Sequence, residues 1–376
     1  MNMPVLTKRI LIVDDDLNFS DILSDFFLKK GWAVFTAKNG QLAVSSIHAN
    51  DPDIILMNVD LPVRDGITTC NLLRRDIAMA RQYPIIMMAA FPDKKKIVKS
   101  IDAGCDDFII KPFKFDVLIN KIEKITEFYH KKINIQKQEG ESDYKDEEQE
   151  AEIIVYSRNA IKKIFSNTMN DRRIEYPVVQ KVVDNMVKIL HRENNLPMAF
   201  KMKSYNDYIY IHSINVATLA MSFAYHLKWE PSDLQIIGEG GFMHDIGKTK
   251  IDLQILMKPD KLTDAEFSEM KKHPLLGRDI LAKDNVSDEI QKIALEHHER
   301  INGSGYPNHL SGEQISKFGK LAAIIDAYDA LTTDRCFQGG VDSLNALKIM
   351  SESAGQFDPI LFDKFTDLIK NETIGK

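Results

Sequence analysis

The chain has 376 residues, with 49 Lys and Arg against 55 Asp and Glu for a formal net charge of −6 and no long basic block; this balance argues against nucleic-acid polymers, DNA included, as partners. At this length two domains, each with its own core, are expected. The three cysteines, Cys70, Cys105 and Cys336, are odd in number and have no metal or redox spacing, which points to a reducing cytoplasm.

Residues 8 to 128 alternate apolar runs with amphipathic stretches. Arg9 to Val13 is a continuous run leading into Asp14-Asp15-Asp16, and Asp53 to Met57, Pro84 to Met88 and Asp107 to Ile110 are similar. Strands buried on both faces imply a parallel sheet covered by helices, a doubly wound α/β domain whose functional groups gather at the carboxyl ends of the strands. From Asp116 to Lys137 the apolar positions Val117, Leu118, Ile122, Ile125 and Phe128 keep helical spacing, so the last helix extends outward. Glu139 to Glu152 then holds eight acidic residues against Lys145 alone, a solvated linker or the start of an exposed helix. This reading places a first domain at 1–128, a helical extension and acidic linker at 129–152, and a second domain at 153–376.

In the second domain Ile153 to Phe165 and Pro177 to Leu190 read as helices, and no strand-like alternation follows, so the domain is all-α. Tyr208 to Leu227 is the most apolar stretch, but His212, Ser213, Asn215 and His226 interrupt it. It reads as a buried helix and not as a membrane span. No signal peptide is recognised ahead of the first strand, so the expected location is the cytoplasm.

The stretch from His244 to Pro307 carries the chemistry. It holds His244-Asp245 with Lys248, then His273, then His297-His298-Glu299 followed by Asn302-Gly303-Ser304-Gly305-Tyr306-Pro307. Burying so many imidazoles without partners costs on the order of 1 to 3 kcal/mol each, and a metal would satisfy them all. Adjacent His297 and His298 diverge by about 100° if helical, so both reach one ion only near a helix terminus. The glycines at Gly303 and Gly305 are expected to supply that terminus. His212 upstream and Asp326 downstream, each in an apolar helical run, complete the set.

These motifs, with Asp329-Ala330-Leu331-Thr332, Thr333-Asp334-Arg335 and Gly355 to Pro359, make residues from about 150 to 376 similar to an HD-GYP domain, a branch of the HD phosphohydrolases. The resemblance implies hydrolysis of cyclic di-GMP to pGpG, and often on to GMP. It implies one ion on His212, His244, Asp245 and Asp326, and a second on Asp245, His273, His297 and His298, with Asp245 as bridge. Two cations roughly 3.5 to 4 Å apart can acidify a water and aim it at phosphorus. By the same resemblance Asp245 and Lys248 are the catalytic pair, with Lys248 on a non-bridging oxygen. Gly303, Gly305 and Tyr306 would shape the loop over the substrate, and Lys320 and Arg335 would contact it. Mixed imidazole and carboxylate ligation suits iron, manganese, nickel or zinc, and the resemblance narrows this to iron or manganese. Members with a third metal carry Glu one turn before the first His, where this chain has Tyr208; two ions are therefore expected. Cys336-Phe337-Gln338 stands where the family has Pro, an aromatic and a basic residue, and Lys320 where Arg is common, so the grip on phosphate is expected to be weaker. Two alternatives stay open: a cyclic di-GMP sensor or scaffold with little turnover, and a phosphodiesterase for another cyclic dinucleotide such as cyclic GMP-AMP.

The first domain resembles the CheY-like receiver of bacterial response regulators. The resemblance rests on Asp14 and Asp15, Leu61-Pro62, Asp65-Gly66 and Lys111-Pro112, the last expected to be cis. The phosphoacceptor position is Asn58, whose amide lacks a nucleophilic carboxylate oxygen, and the switch hydroxyl is replaced by Ala89. The expectation is a pseudo-receiver that aspartyl phosphorylation does not switch, with Asp60 or Asp65 as substitute acceptor the weaker alternative. Such a receiver would dock an unidentified signalling protein or pair as a homodimer, by analogy through the segment near Lys94 to Ile110.

Overall fold

A computed structural model of the chain describes residues 8–75, 83–90, 93–137, 144–193, 208–256, 258, 261–333, 341–353 and 355–374. Two compact units, Met1–Glu139 and Gly140–Lys376, divide it.

The first unit is a five-stranded parallel sheet in the order β2-β1-β3-β4-β5. The strands are β1 (Arg9–Val13), β2 (Ala33–Ala37), β3 (Ile54–Asn58), β4 (Ile85–Ala89) and β5 (Asp107–Ile110), with helices α1 (Leu17–Lys29), α2 (Gly40–Asn50), α3 (Gly66–Arg75), α4 (Lys94–Asp102) and α5 (Phe115–Lys137). β3 and β4 are buried along their whole length, as a two-sided parallel sheet requires. One face packs Leu11, Val13, Ile55 and Met57 against Ala43, Ile47, Cys70 and Leu73. The other packs Ile10, Ile12, Ile54 and Leu56 against Leu23, Phe27, Leu118 and Ile122. Four strands lie where the sequence places them, β3 and β4 each one residue later. β2 was not anticipated: it is an edge strand, only half-buried along most of its length, and so lacks the continuous apolar run that marks the others. The Lys111-Pro112 bond is cis, as expected.

The second unit is helical: α6 (Tyr144–Met169), α7 (Tyr176–Glu193), α8 (Tyr208–His226), α9 (Pro231–Met243), α10 (Leu253–Leu256), α11 (Asp264–Met270), α12 (His273–Lys283), α13 (Asp288–Glu296), α14 (Lys317–Thr332), α15 (Ser343–Glu352) and α16 (Pro359–Ile374). Among the described residues its only β pairing is a single antiparallel bridge, Asn302 with Ser311. The core centres on α8, which packs against α9 and α14 and is buried from His212 to Ala224; no helix among the described residues is long and apolar enough to cross a membrane. One boundary at the junction changes: the helix read from Ile153 begins at Tyr144, inside the acidic run, since Glu and Lys suit a helix as well as a linker. The last helix of the first unit extends outward as expected, α5 continuing to Lys137.

Candidate metal centre

Helix ends bring the candidate ligands together. His244 caps the C-terminus of α9, and Asp245 follows it into a 3-10 turn, Ile246–Lys250, that carries Lys248. His273 opens α12 and His297 caps the end of α13. His212 and Asp326 lie within α8 and α14. α13 stops at Glu296, well before Gly303 and Gly305 that were expected to end it, in a tight turn where the Glu299 amide donates to the Glu296 carbonyl at 2.7 Å. The glycines serve the loop beyond: a Cβ on Gly305 would stand 2.4 Å from Arg300 N and from Glu299 Cα, and Gly303 has φ +78°. Gly247 is needed for close approach too, since a Cβ there would lie 1.9 Å from the His273 carbonyl oxygen.

Hydrogen bonds at the outer nitrogens fix how the rings face. His244 Nδ1 donates to Gly241 O at 2.7 Å, His273 Nδ1 to Met270 O at 2.8 Å and His297 Nδ1 to Ala294 O at 2.9 Å. A carbonyl only accepts, so each Nδ1 carries a proton and each ring turns its Nε2 inward. The inward nitrogens meet in pairs: His244 Nε2 is 3.2 Å from His212 Nε2, and His273 Nε2 is 3.1 Å from His297 Nε2. Facing acceptors at this range repel unless a cation or proton lies between them.

The Asp245 carboxylate stands between the two pairs. Its Oδ1 is 3.2 Å from His273 Nε2 and 3.8 Å from His297 Nε2, while its Oδ2 is 3.4 Å from His244 Nε2 and 3.6 Å from His212 Nε2. Among the described residues the buried Oδ1 has no hydrogen-bond partner. Asp326 places Oδ1 at 3.1 Å from His212 Nε2 and Oδ2 at 3.5 Å from His298 Nδ1. Among the described residues donor atoms fall in three overlapping sets, His212 with His244 and Asp326, His244 with Asp245 and His297, and His273 with His297 and His298, each close enough to share one ion. The donor set fits divalent cations of borderline softness.

Charge follows the same layout. Burial disfavours the Asp245 carboxylate, but Lys248, at 2.5 Å from Oδ2, and then His244 hold its pKa well below the usual range. Asp326 is held low against its burial by His212 first and then His298. Burial together with the neighbouring imidazoles pushes His297 and His298 down. His212 goes the other way: burial opposes its charge, yet Asp326 and Asp329 push its pKa up to about 10.

The remaining expected site residues are more dispersed. Tyr306 lies ring to ring with His298 at 4.7 Å, and its amide donates to His298 O at 3.1 Å. Lys320 is paired with Glu313 at 2.7 Å and with Asp358 at 3.6 Å. Arg335 and Cys336 to Gln338 lie outside the described residues, as does the Tyr208 side chain. Several supporting residues had no assigned role in the sequence reading. Buried Asp329 accepts from His212 Nδ1 at 2.8 Å and from Asn215 at 3.0 Å; its signal was the three-residue spacing from Asp326 on one helix face. Buried Glu299 accepts from the amides of Asn308 and Leu310 at 2.7 and 3.0 Å and so closes the Gly-Tyr-Pro loop. Glu296 takes the amide and hydroxyl of Ser316 at 2.9 and 2.6 Å, tying α13 to the start of α14.

In the first unit the carboxyl ends of the strands converge as expected. Asn58 Nδ2 donates to Asp14 Oδ1 and Asp15 Oδ1, both at 3.3 Å, and to Asp60 O at 3.0 Å. Lys111 Nζ reaches Asp14 Oδ2 at 2.5 Å, and Ala89 is buried at the end of β4. Asp60 is engaged by Lys96 at 2.6 Å, and Asp65 caps the Thr68 amide at 2.7 Å.

Comparison with known proteins agrees with this division. Residues 10–123 match the response regulator receiver domain and residues 179–361 match the HD domain. A cyclic di-GMP phosphodiesterase of Pseudomonas aeruginosa is 34% identical over 221 residues, 58% of this chain and 53% of that protein. A cyclic di-GMP phosphodiesterase of Thermotoga maritima is 28% identical over 97% of this chain and 91% of its own length. The cyclic di-GMP phosphodiesterase response regulator RpfG of Xanthomonas campestris is 27% identical over 95% of this chain and 87% of its own. Residues 10–123 thus carry a receiver domain and residues 179–361 an HD domain.

Proposed function

We propose that the second unit hydrolyses cyclic di-GMP to pGpG and then to GMP at two divalent ions, iron or manganese. The observation that supports this most is the two pairs of facing imidazole nitrogens with the Asp245 carboxylate between them, in a chain whose relatives are named cyclic di-GMP phosphodiesterases. His212, His244, Asp245 and Asp326 would hold one ion, and Asp245, His273, His297 and His298 the other. Ions bound there supply Lewis acidity toward water and toward the phosphoryl oxygens. The carbonyls of Gly241, Met270 and Ala294 keep the imidazoles in the ligating tautomer. Lys248, held on Asp245 Oδ2, is the cation nearest the bridging carboxylate and would take a non-bridging phosphate oxygen. The loop bearing Gly303, Gly305 and Tyr306 lies over His298 and would form a wall of the substrate site.

In the same reading the receiver is not switched by aspartyl phosphorylation and serves as a docking or pairing surface for a signalling partner. Asn58 supports this, since its amide donates to the acidic pair in place of a phosphoacceptor. Steady-state hydrolysis of cyclic di-GMP and of cyclic GMP-AMP by iron- or manganese-loaded protein tests the substrate. Faster cleavage of cyclic di-GMP is expected; preference for cyclic GMP-AMP would reassign the substrate, and binding without cleavage of either would make the domain a sensor.

A further inference from the structure

Lys271 stands between two aromatic rings beside the candidate metal centre. It directly follows α11 and lies two residues before His273, its amide donating to Phe267 O at 2.9 Å. Its ammonium is 4.8 Å from the Phe267 ring centroid and 5.4 Å from that of Tyr306, the ring that lies tilted against His298. Nearby lysines are matched by carboxylates: Lys272 by Glu269 and Lys248 by Asp245, each at 2.5 Å. Among the described residues no carboxylate lies within ion-pair range of Lys271. Ring faces attract an ammonium weakly, about 0.5 to 1 kcal/mol at exposed sites. They hold its position without neutralising it, so an arriving anion meets a placed positive charge and has no existing ion pair to break.

We propose that Lys271 binds substrate, contacting the phosphate of the cyclic dinucleotide that is not being cut, while Phe267 and Tyr306 hold the ammonium in place. Position decides which phosphate: Lys248 touches the bridging carboxylate itself, whereas Lys271 meets the ligand His298 through the ring of Tyr306. Phe267 is 44% exposed, so the ammonium over its ring is reachable from solvent. The inference rests on the phosphodiesterase reading above.

Kinetics of the full-length, metal-loaded protein on cyclic di-GMP and on bis(p-nitrophenyl) phosphate, a diester with a single phosphate, test it. Lys271→Gln should raise KM for cyclic di-GMP about tenfold or more, with kcat within about twofold. Its metal content and its kinetics on the small diester should not change. Lys271→Arg should recover most of the affinity, since it keeps the charge. An unchanged KM for cyclic di-GMP, an equal loss on both substrates or a loss of metal would each overturn the role. Wild-type protein that fails on cyclic di-GMP altogether would remove the phosphodiesterase reading and this inference together; wild-type turnover with an unaffected Lys271→Gln variant would remove the inference alone.

Discussion

His212 is held from both ring nitrogens, by Asp329 at Nδ1 and by Asp326 at Nε2, so its orientation depends on a residue that need not touch an ion. Asp329→Ala should therefore lower affinity for one divalent ion by about 10- to 100-fold, measured by competition with a chelator; an unchanged affinity would show that Asp329 does not orient the ring. The same contacts give a pH signature to metal-stripped protein. The folded pKa of His212, about 10, lies above its ordinary 6.5. Its contribution to stability is thus full below pH 6.5 and is lost as pH rises through about 10. Melting temperature should fall across that window in the stripped wild type and fall less in His212→Gln; parallel curves would contradict the assignment. At this scale the sequence showed which residues cluster, because imidazoles and carboxylates set in apolar helices are costly to bury unless they share a partner. It did not show Asp329, Glu299 or Glu296 as supports, because their partners lie 117, 9 and 20 residues away and only folding brings them together.

Elements were legible in proportion to how far their burial is written in a short window. β1, β3, β4 and β5 stand out as apolar runs, whereas β2, at the edge, does not. The acidic run left helix and linker both open, and α6 resolves it from Tyr144 onward. The end of α13 was misplaced because the turn at Glu296–Glu299 needs no glycine. At the carboxyl edge of the sheet, β1 and β3 bring two carboxylates and the Asn58 amide together. Asn58→Asp would put a third carboxylate against Asp14 and Asp15 and remove the amide donor. It should cost about 1 to 3 kcal/mol in EDTA and recover with magnesium, as read by urea unfolding of the receiver transition. Wild-type protein should take no hydroxylamine-sensitive label from acetyl phosphate on residues 1 to 128; stoichiometric label would restore a phosphorylation switch.

The chain joins a receiver with an amide, Asn58, at the phosphoacceptor position to a helical unit with a cluster of His and Asp side chains that could hold metal. Signals reaching the first unit would then come through its surface and not through phosphoryl transfer, while the chemistry belongs to the second. Single-turnover hydrolysis of cyclic di-GMP by anaerobically purified protein, reconstituted with iron(II) or manganese(II) and compared with His244→Ala, tests that account most directly. Conversion to pGpG or GMP in the wild type and none in the variant is the expected result; tight binding with no product under either metal would contradict it.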